Sequence, residues 1–209
     1  MNLQNKTAVV TGARGGLGSL LVQALEKEGI ICVAIDKEEC DFTNSKDVEK
    51  LCDEIKSKYE KIDFLFNVAG IGIYKNIDDL SIEEWNDSLS INLTAPFILI
   101  KTLSPEVVIN FGSGMGVFPT SGRSAYCASK FGLRGLSLSL SKELKPKNID
   151  VVLLTLGSIM TNFGTGGLAL RQDLEKKGKK YLNPSEVIEK VLEIIKSERR
   201  EVEYMIYPK

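Results

Sequence analysis

The chain has 209 residues, 43% of them hydrophobic and 26% charged, which suits a single globular domain over residues 1–209 with a sizeable core. A net charge of −1 excludes a protein held to nucleic acid or acidic lipid by bulk charge. There is no histidine, so Ser–His triads and His-dependent zinc sites are excluded as well.

In chain order, "TAVVTG" (7–12) is a short apolar run expected to be a buried strand. Residues 17–29 read as an amphipathic helix closed by Gly29, and 31–36 as a second strand. Residues 45–59 read as a helix capped by Ser45, and 62–70 as a strand. Ser81, followed by acidic residues in the first turn, is expected to cap one long helix over 81–103. A strand over 106–112, a helix over 124–145 and a strand over 149–157 follow. Residues 161–183 read as a lid, 184–198 as a helix opened by Pro184, and 201–208 as a last strand. The alternation predicts an α/β fold: a doubly wound parallel sheet with helices on both faces and a ligand site beyond the carboxyl ends of the strands. No apolar run approaches a membrane span, and the N-terminus lacks a basic region followed by an apolar core, so the expected location is the cytoplasm. Cys32, Cys40, Cys52 and Cys127 show no metal-ligand spacing and read as buried or half-buried reduced thiols; no metal site is expected.

The strand ends carry the chemistry. After the first strand comes "TGARGGLG", with Gly12, Arg14, Gly16, Leu17 and Gly18 opening a helix. Glycines at that junction let backbone N–H groups approach a phosphate at a helix N-terminus, which points to a dinucleotide. Asp36 closes the second strand, where a carboxylate accepts from ribose hydroxyls and repels a 2′-phosphate. In the 124–145 helix, Tyr126 and Lys130 stand at i and i+4 on one face. At an effective dielectric of about 20, an ammonium some 4 Å from a phenolate is worth about 4 kcal/mol, enough to lower the phenol pKa from about 10 by roughly 2 units or more. A tyrosine and a lysine can thus replace the missing histidine in proton transfer.

Together these motifs resemble the short-chain dehydrogenase/reductase family over nearly the whole chain, including its members that reduce 3-oxoacyl groups on acyl carrier protein. The resemblance rests on Thr11–Gly18 as T-G-x-x-x-G-x-G, on "NVAG" (67–70) with Val68 where a second Asn is usual, and on Asn92 in "SINLTAPF". It rests further on Ser113 in "INFGSGMG", on Tyr126 and Lys130 as Y-x-x-x-K, and on "LGSIMT" with Leu156 where Pro is usual. It implies a Rossmann-type fold and an NAD(P)-dependent enzyme that interconverts a carbonyl and an alcohol. Tyr126 is the implied acid and base, Ser113 holds the substrate oxygen, Lys130 also reaches the nicotinamide ribose, and Asn92 holds a water that links Lys130 to solvent. Asp41, Phe42, Asn67, Ala69 and Gly70 are the implied adenosine contacts, and Ile159 and Thr161 those of the nicotinamide carboxamide. Met115, Phe118 and Phe163 are expected as apolar substrate walls. NAD(H) is favoured by Asp36, while Arg14 and Lys37 leave NADP(H) open. The short links Asp36–Asp41 and Asn92–Ser113 imply a missing helix and a trimmed loop.

Two other readings stand beside this one. One is a non-catalytic dinucleotide sensor on the same fold. The other is a reductase of acyl-carrier-protein thioesters, its lid lysines 176, 177, 179 and 180 meeting the carrier. The substrate is expected to be a small molecule. Two apolar stripes on the 124–145 helix, Leu133, Leu136, Leu140 and Leu144 on one face and Ala128, Phe131, Gly135 and Leu138 on another, predict a homodimer or homotetramer.

Overall fold

The computed structural model describes residues 2–209. Six parallel strands form one sheet in the order β2-β1-β3-β4-β5-β6: β1 (Thr7–Thr11), β2 (Ile31–Ile35), β3 (Phe64–Asn67), β4 (Val107–Phe111), β5 (Asp150–Leu156) and β6 (Glu203–Ile206). β1, β3 and β4 are buried throughout, as expected for strands covered on both faces. On one face α1 (Gly18–Lys27) and α7 (Pro184–Lys196) pack Leu21, Leu25, Val187, Val191 and Ile195 against Val10, Phe66, Ile109 and Leu154. On the other, α2 (Ser45–Lys58) and α4 (Ala95–Leu103) pack Val48, Leu51, Ile98 and Leu99 against Val9, Leu65 and Val108. α3 (Ile82–Leu89), α5 (Ser124–Glu143) and α6 (Gly167–Lys176) complete the helices. Among the described residues, no helix is long and apolar enough to cross a membrane.

The structure corrects two local expectations. The cap of α2 is Asn44, whose extended backbone lets its side chain accept from the Lys46 N–H at 3.0 Å; Ser45 is already helical. The 81–103 helix is not continuous α-helix. It starts with the expected Ser81 cap, reinforced by Glu84, but a five-residue π turn at Ser90–Thr94 separates α3 from α4. Pro96 gives the physical reason, since it has no N–H to donate to the Asn92 carbonyl four residues back. The lid contains a helix, α6, entered through Gly164, Gly166 and Gly167 at positive φ.

The link between β2 and α2 holds turns and no helix, and only three residues join α4 to β4, as the short spacings implied. β6 is tied to α5 by a two-pronged contact, Arg134 donating to both Glu203 oxygens at 3.0 and 2.8 Å, with Thr155 donating to the same carboxylate at 2.6 Å. That tie brings the C-terminal Tyr207 to the edge of the site.

Candidate active site

A cleft of about 1220 Å³ opens along the carboxyl ends of the strands, where a parallel sheet places its ligands. Its floor begins at the glycine turn between β1 and α1. Gly12 has φ +66°, and a Cβ there would lie 2.8 Å from the Ala69 backbone. A Cβ on Gly18 would lie 2.0 Å from the Gly12 carbonyl oxygen, so only glycine closes the turn. No side chain caps α1 and its first turn holds no acidic residue, which leaves its N-terminus fit for an anionic diphosphate.

Gly12, Arg14, Gly16, Leu17, Gly18, Asp36 and Phe42 line one end of the cleft. The Asp36 carboxylate accepts from the backbone N–H groups of Arg14 at 2.7 Å and Lys37 at 2.8 Å. The Arg14 guanidinium pairs with Glu38 at 3.0 Å and with Glu39. This pairing raises the Arg14 pKa and pulls the Glu39 carboxyl down to about 2.

Ala69, Gly70, Ser113, Tyr126, Lys130, Ile159 and Thr161 line the cleft beyond them. Asn67 and Asp41 do not. Asn67, the last residue of β3, points into the sheet–helix layer and donates to Asn110 at 2.7 Å, because strand alternation puts it on the face of Leu65. Asp41 accepts from the backbone and hydroxyl of Thr43 at 2.9 and 2.7 Å, closing its own turn.

Ser113 follows β4 and accepts from the Met115 N–H at 3.2 Å. Its hydroxyl also bonds the buried Tyr126 phenol, one turn before Lys130 on α5. The Lys130 ammonium donates to the Phe111 carbonyl at 2.9 Å, and burial pulls it down to about 8. It lies 5.9 Å from the Tyr126 ring centre. The expected lowering of the phenol pKa is not seen in this arrangement. Burial raises it, with Tyr74 adding to the rise; the Ser113 bond and the Arg123 charge oppose them and do not prevail. The burying groups are Tyr74, edge-on at 5.7 Å, and Phe163 at 5.9 Å between ring centres.

Asn92 sits in the π turn behind the cleft. Its amide donates to the Ile71 carbonyl at 2.9 Å and to Ser129 at 3.0 Å, and its oxygen accepts from the Ile71 N–H at 2.9 Å. Both amide hydrogens are used, and one lone pair on Oδ1 is left for another donor. A Cβ on Gly70 would lie 3.0 Å from that oxygen and 3.7 Å from Lys130 Nζ, so the two groups border the same small residue.

Met115, Phe118 and Phe163 line the cleft as expected. Sequence reasoning missed Tyr74 and Arg123. Tyr74 follows "GIGI" without any periodic signal, whereas Arg123 stands one helical turn before Tyr126 and is visible in "GRSAY". Lys176, Lys177, Lys179 and Lys180 are exposed; Lys176 pairs with Asp173, and Lys179 and Lys180 reach the cleft mouth.

The family model described as short chain dehydrogenase matches residues 38–167. The chain is 29% identical over 202 residues to an NAD-dependent glycerol dehydrogenase of Listeria innocua, covering 84% of this chain and 80% of that one. It is 30% identical over 188 residues to the 3-oxoacyl-(acyl-carrier-protein) reductase FabG of Buchnera aphidicola, covering 78% and 77%. Among solved structures, the fold matches 4-hydroxyisoleucine dehydrogenase complexed with NADH at a TM-score of 0.85 and 22% identity, over 98% of this chain and 97% of that one. A short chain dehydrogenase from Burkholderia cenocepacia in complex with NADP matches at 0.85 and 22%, over 100% and 98%.

Proposed function

Because the chain belongs to the short chain dehydrogenase family and is an NAD(P)-dependent oxidoreductase, we propose that it interconverts a carbonyl and a secondary alcohol with Tyr126 as acid and base. The observation that carries this reading is the group of half-buried Ser113 and buried Tyr126 and Lys130 on the wall of the cleft that begins at the glycine turn. The nicotinamide, when bound, supplies or accepts the hydride. In reduction, Tyr126 gives its proton to the carbonyl oxygen as carbon becomes tetrahedral; in oxidation it takes that proton back. Ser113 accepts from the Met115 N–H, and its O–H, which faces the Tyr126 oxygen, turns to donate to the substrate oxygen placed between them. Lys130, pulled down to about 8, exchanges protons readily near neutral pH, and Asn92 holds the Ile71 backbone beside it.

Tyr126→Phe removes the proton donor and little volume. Expected is a loss of carbonyl reduction of at least 100-fold with cofactor still bound, the usual scale for a positioned acid. Turnover close to that of the parent would remove Tyr126 from the role.

NAD(H) is the favoured cofactor in this reading. Asp36 would repel a 2′-phosphate, and Arg14 would have to leave two carboxylates to meet one. Fluorescence titration of NADH and NADPH at equal ionic strength is expected to give tighter NADH binding, and Asp36→Asn to narrow the gap. Tighter NADPH binding to the parent protein would reverse the assignment. The reading includes a reducing, cytoplasmic setting, supported by four free thiols, and a homodimer or homotetramer built on α4 and α5.

A further inference from the structure

The cleft is asymmetric in charge. Its only acidic lining residues among those described, Asp36 and Glu38, lie at the glycine-turn end beside Arg14. The charged lining residues of the lid and of the start of α5 are Arg123, Arg171, Lys179 and Lys180, with no carboxylate among them. Arg171 has a structural task, donating to the carbonyls of Thr161 and Phe163 and so tying α6 to the lid loop. Arg123 has none of that kind. It is half-buried and has no ion-pair partner among the described residues. Its guanidinium lies over the Tyr74 ring at 4.3 Å and touches the Met115 sulfur at 3.4 Å. A guanidinium has five N–H donors, and one weak sulfur acceptor leaves most of them unmatched. Tyr74 itself stands edge-on to Tyr126, so this fork lies one ring away from the proton donor.

We propose that Arg123 binds a carboxylate of the substrate, which makes the substrate a short oxo acid and the product its hydroxy acid. The inference rests on Tyr126 as the acid and base: the ketone oxygen meets Tyr126 and Ser113, and the carboxylate meets Arg123. Hydride from the reduced cofactor goes to the carbonyl carbon and the Tyr126 proton to its oxygen. A planar carboxylate matches the guanidinium fork with two parallel hydrogen bonds, and the Tyr74 ring beneath the guanidinium leaves one face of the fork apolar. A neutral ketone makes no use of those donors, which then stay with water. A phosphate ester offers similar oxygens, and the test separates it.

The test has two arms. In the first, the purified protein with NADH is given 2-oxobutanoate, 3-oxobutanoate and 4-oxopentanoate, their methyl esters, and dihydroxyacetone phosphate. At least one oxo acid is expected to exceed its ester tenfold or more in kcat/KM. That preference should vanish in Arg123→Gln and survive in part in Arg123→Lys. Equal use of acid and ester would overturn the proposal, as would preference for the phosphorylated ketone. If the esters are turned over alike and Tyr126→Phe abolishes that turnover, the role of Tyr126 stands while that of Arg123 falls. In the second arm, calorimetry compares pentanoate with pentanamide on the NADH complex, independent of turnover. Pentanoate is expected to bind at least tenfold more tightly, and Arg123→Gln to erase the difference, with NADH affinity serving as the check on folding. Equal binding of the two probes, or a difference that persists in Arg123→Gln, would overturn the proposal.

Discussion

Lys130 is an ammonium buried at 5% exposure with one backbone carbonyl as its hydrogen-bond partner, at 2.9 Å. Three donors and one acceptor make it a cost to the folded state, which explains why burial drags it from 10.5 to about 8. The sign follows from proton counting. Between about pH 8 and 10.5 the unfolded chain holds this proton and the folded one does not, so folding gains stability from Lys130 as pH rises through that window. Below about pH 8 the full burial cost is present. Lys130→Met is therefore expected to lose activity yet, without cofactor, to be more stable than the parent by roughly 1 kcal/mol at pH 7. That advantage should shrink by pH 10. Urea unfolding at the two pH values checks both points, and a variant less stable than the parent at pH 7 would show that the ammonium is no burden.

The π turn at Ser90–Thr94 carries the next argument, because it decides where Asn92 points. Pro96 sits four residues beyond Asn92 and supplies no N–H, so the regular α pattern is already broken there. Pro96→Ala restores that donor. The expected outcome is equal or greater thermal stability, since proline disfavours a helix interior by up to about 3 kcal/mol. A kcat at least threefold lower should accompany it, as Asn92 turns away from Ile71. Unchanged kcat together with raised stability would mean that the π turn has no part in the site. This turn also marks where sequence reading stopped. The strands were legible because a parallel sheet needs unbroken apolar runs, and "TAVVT", "FLFN" and "VVINF" are that. The glycine turn, Ser113, Tyr126 and Lys130 were legible from residue type and spacing. "SINLT" carries no pattern that distinguishes π from α, and Tyr74 reaches Tyr126 through a loop whose path no periodicity encodes. The place of Asn67 in "NVAG" points to the cleft, but strand alternation turns its side chain inward.

Across the whole molecule, one surface stands out for what the chain leaves uncovered. Leu133 of α5 is buried, and Leu140 and Leu144 pack on the core. The second stripe faces away: Phe131 is 43% exposed, Ala128 and Leu138 are half-buried, and a Cβ on Gly135 would meet nothing. The lid does not cover this stripe, since Phe131 stays exposed. Phe97 of α4, 41% exposed, and the π turn that packs on α5 through Leu93 extend the same side. Gly135 lets a second helix approach closely, and Phe97 and Phe131 offer exposed aromatic area, a residue type that anchors interfaces. A two-fold axis through this face would pair each stripe with its own copy. Light scattering at micromolar concentration is expected to give two or four times the 23.0 kDa chain mass. Leu138→Glu places a charge in the middle of the paired stripes, where it has no partner and loses its water, a penalty of several kcal/mol counted once per subunit. That variant should therefore fall to the monomer mass while keeping its circular dichroism, because Leu138 lies outside the core that folds the chain. A parent protein that scatters as a monomer, or a Leu138→Glu variant that stays assembled, would place the contact elsewhere.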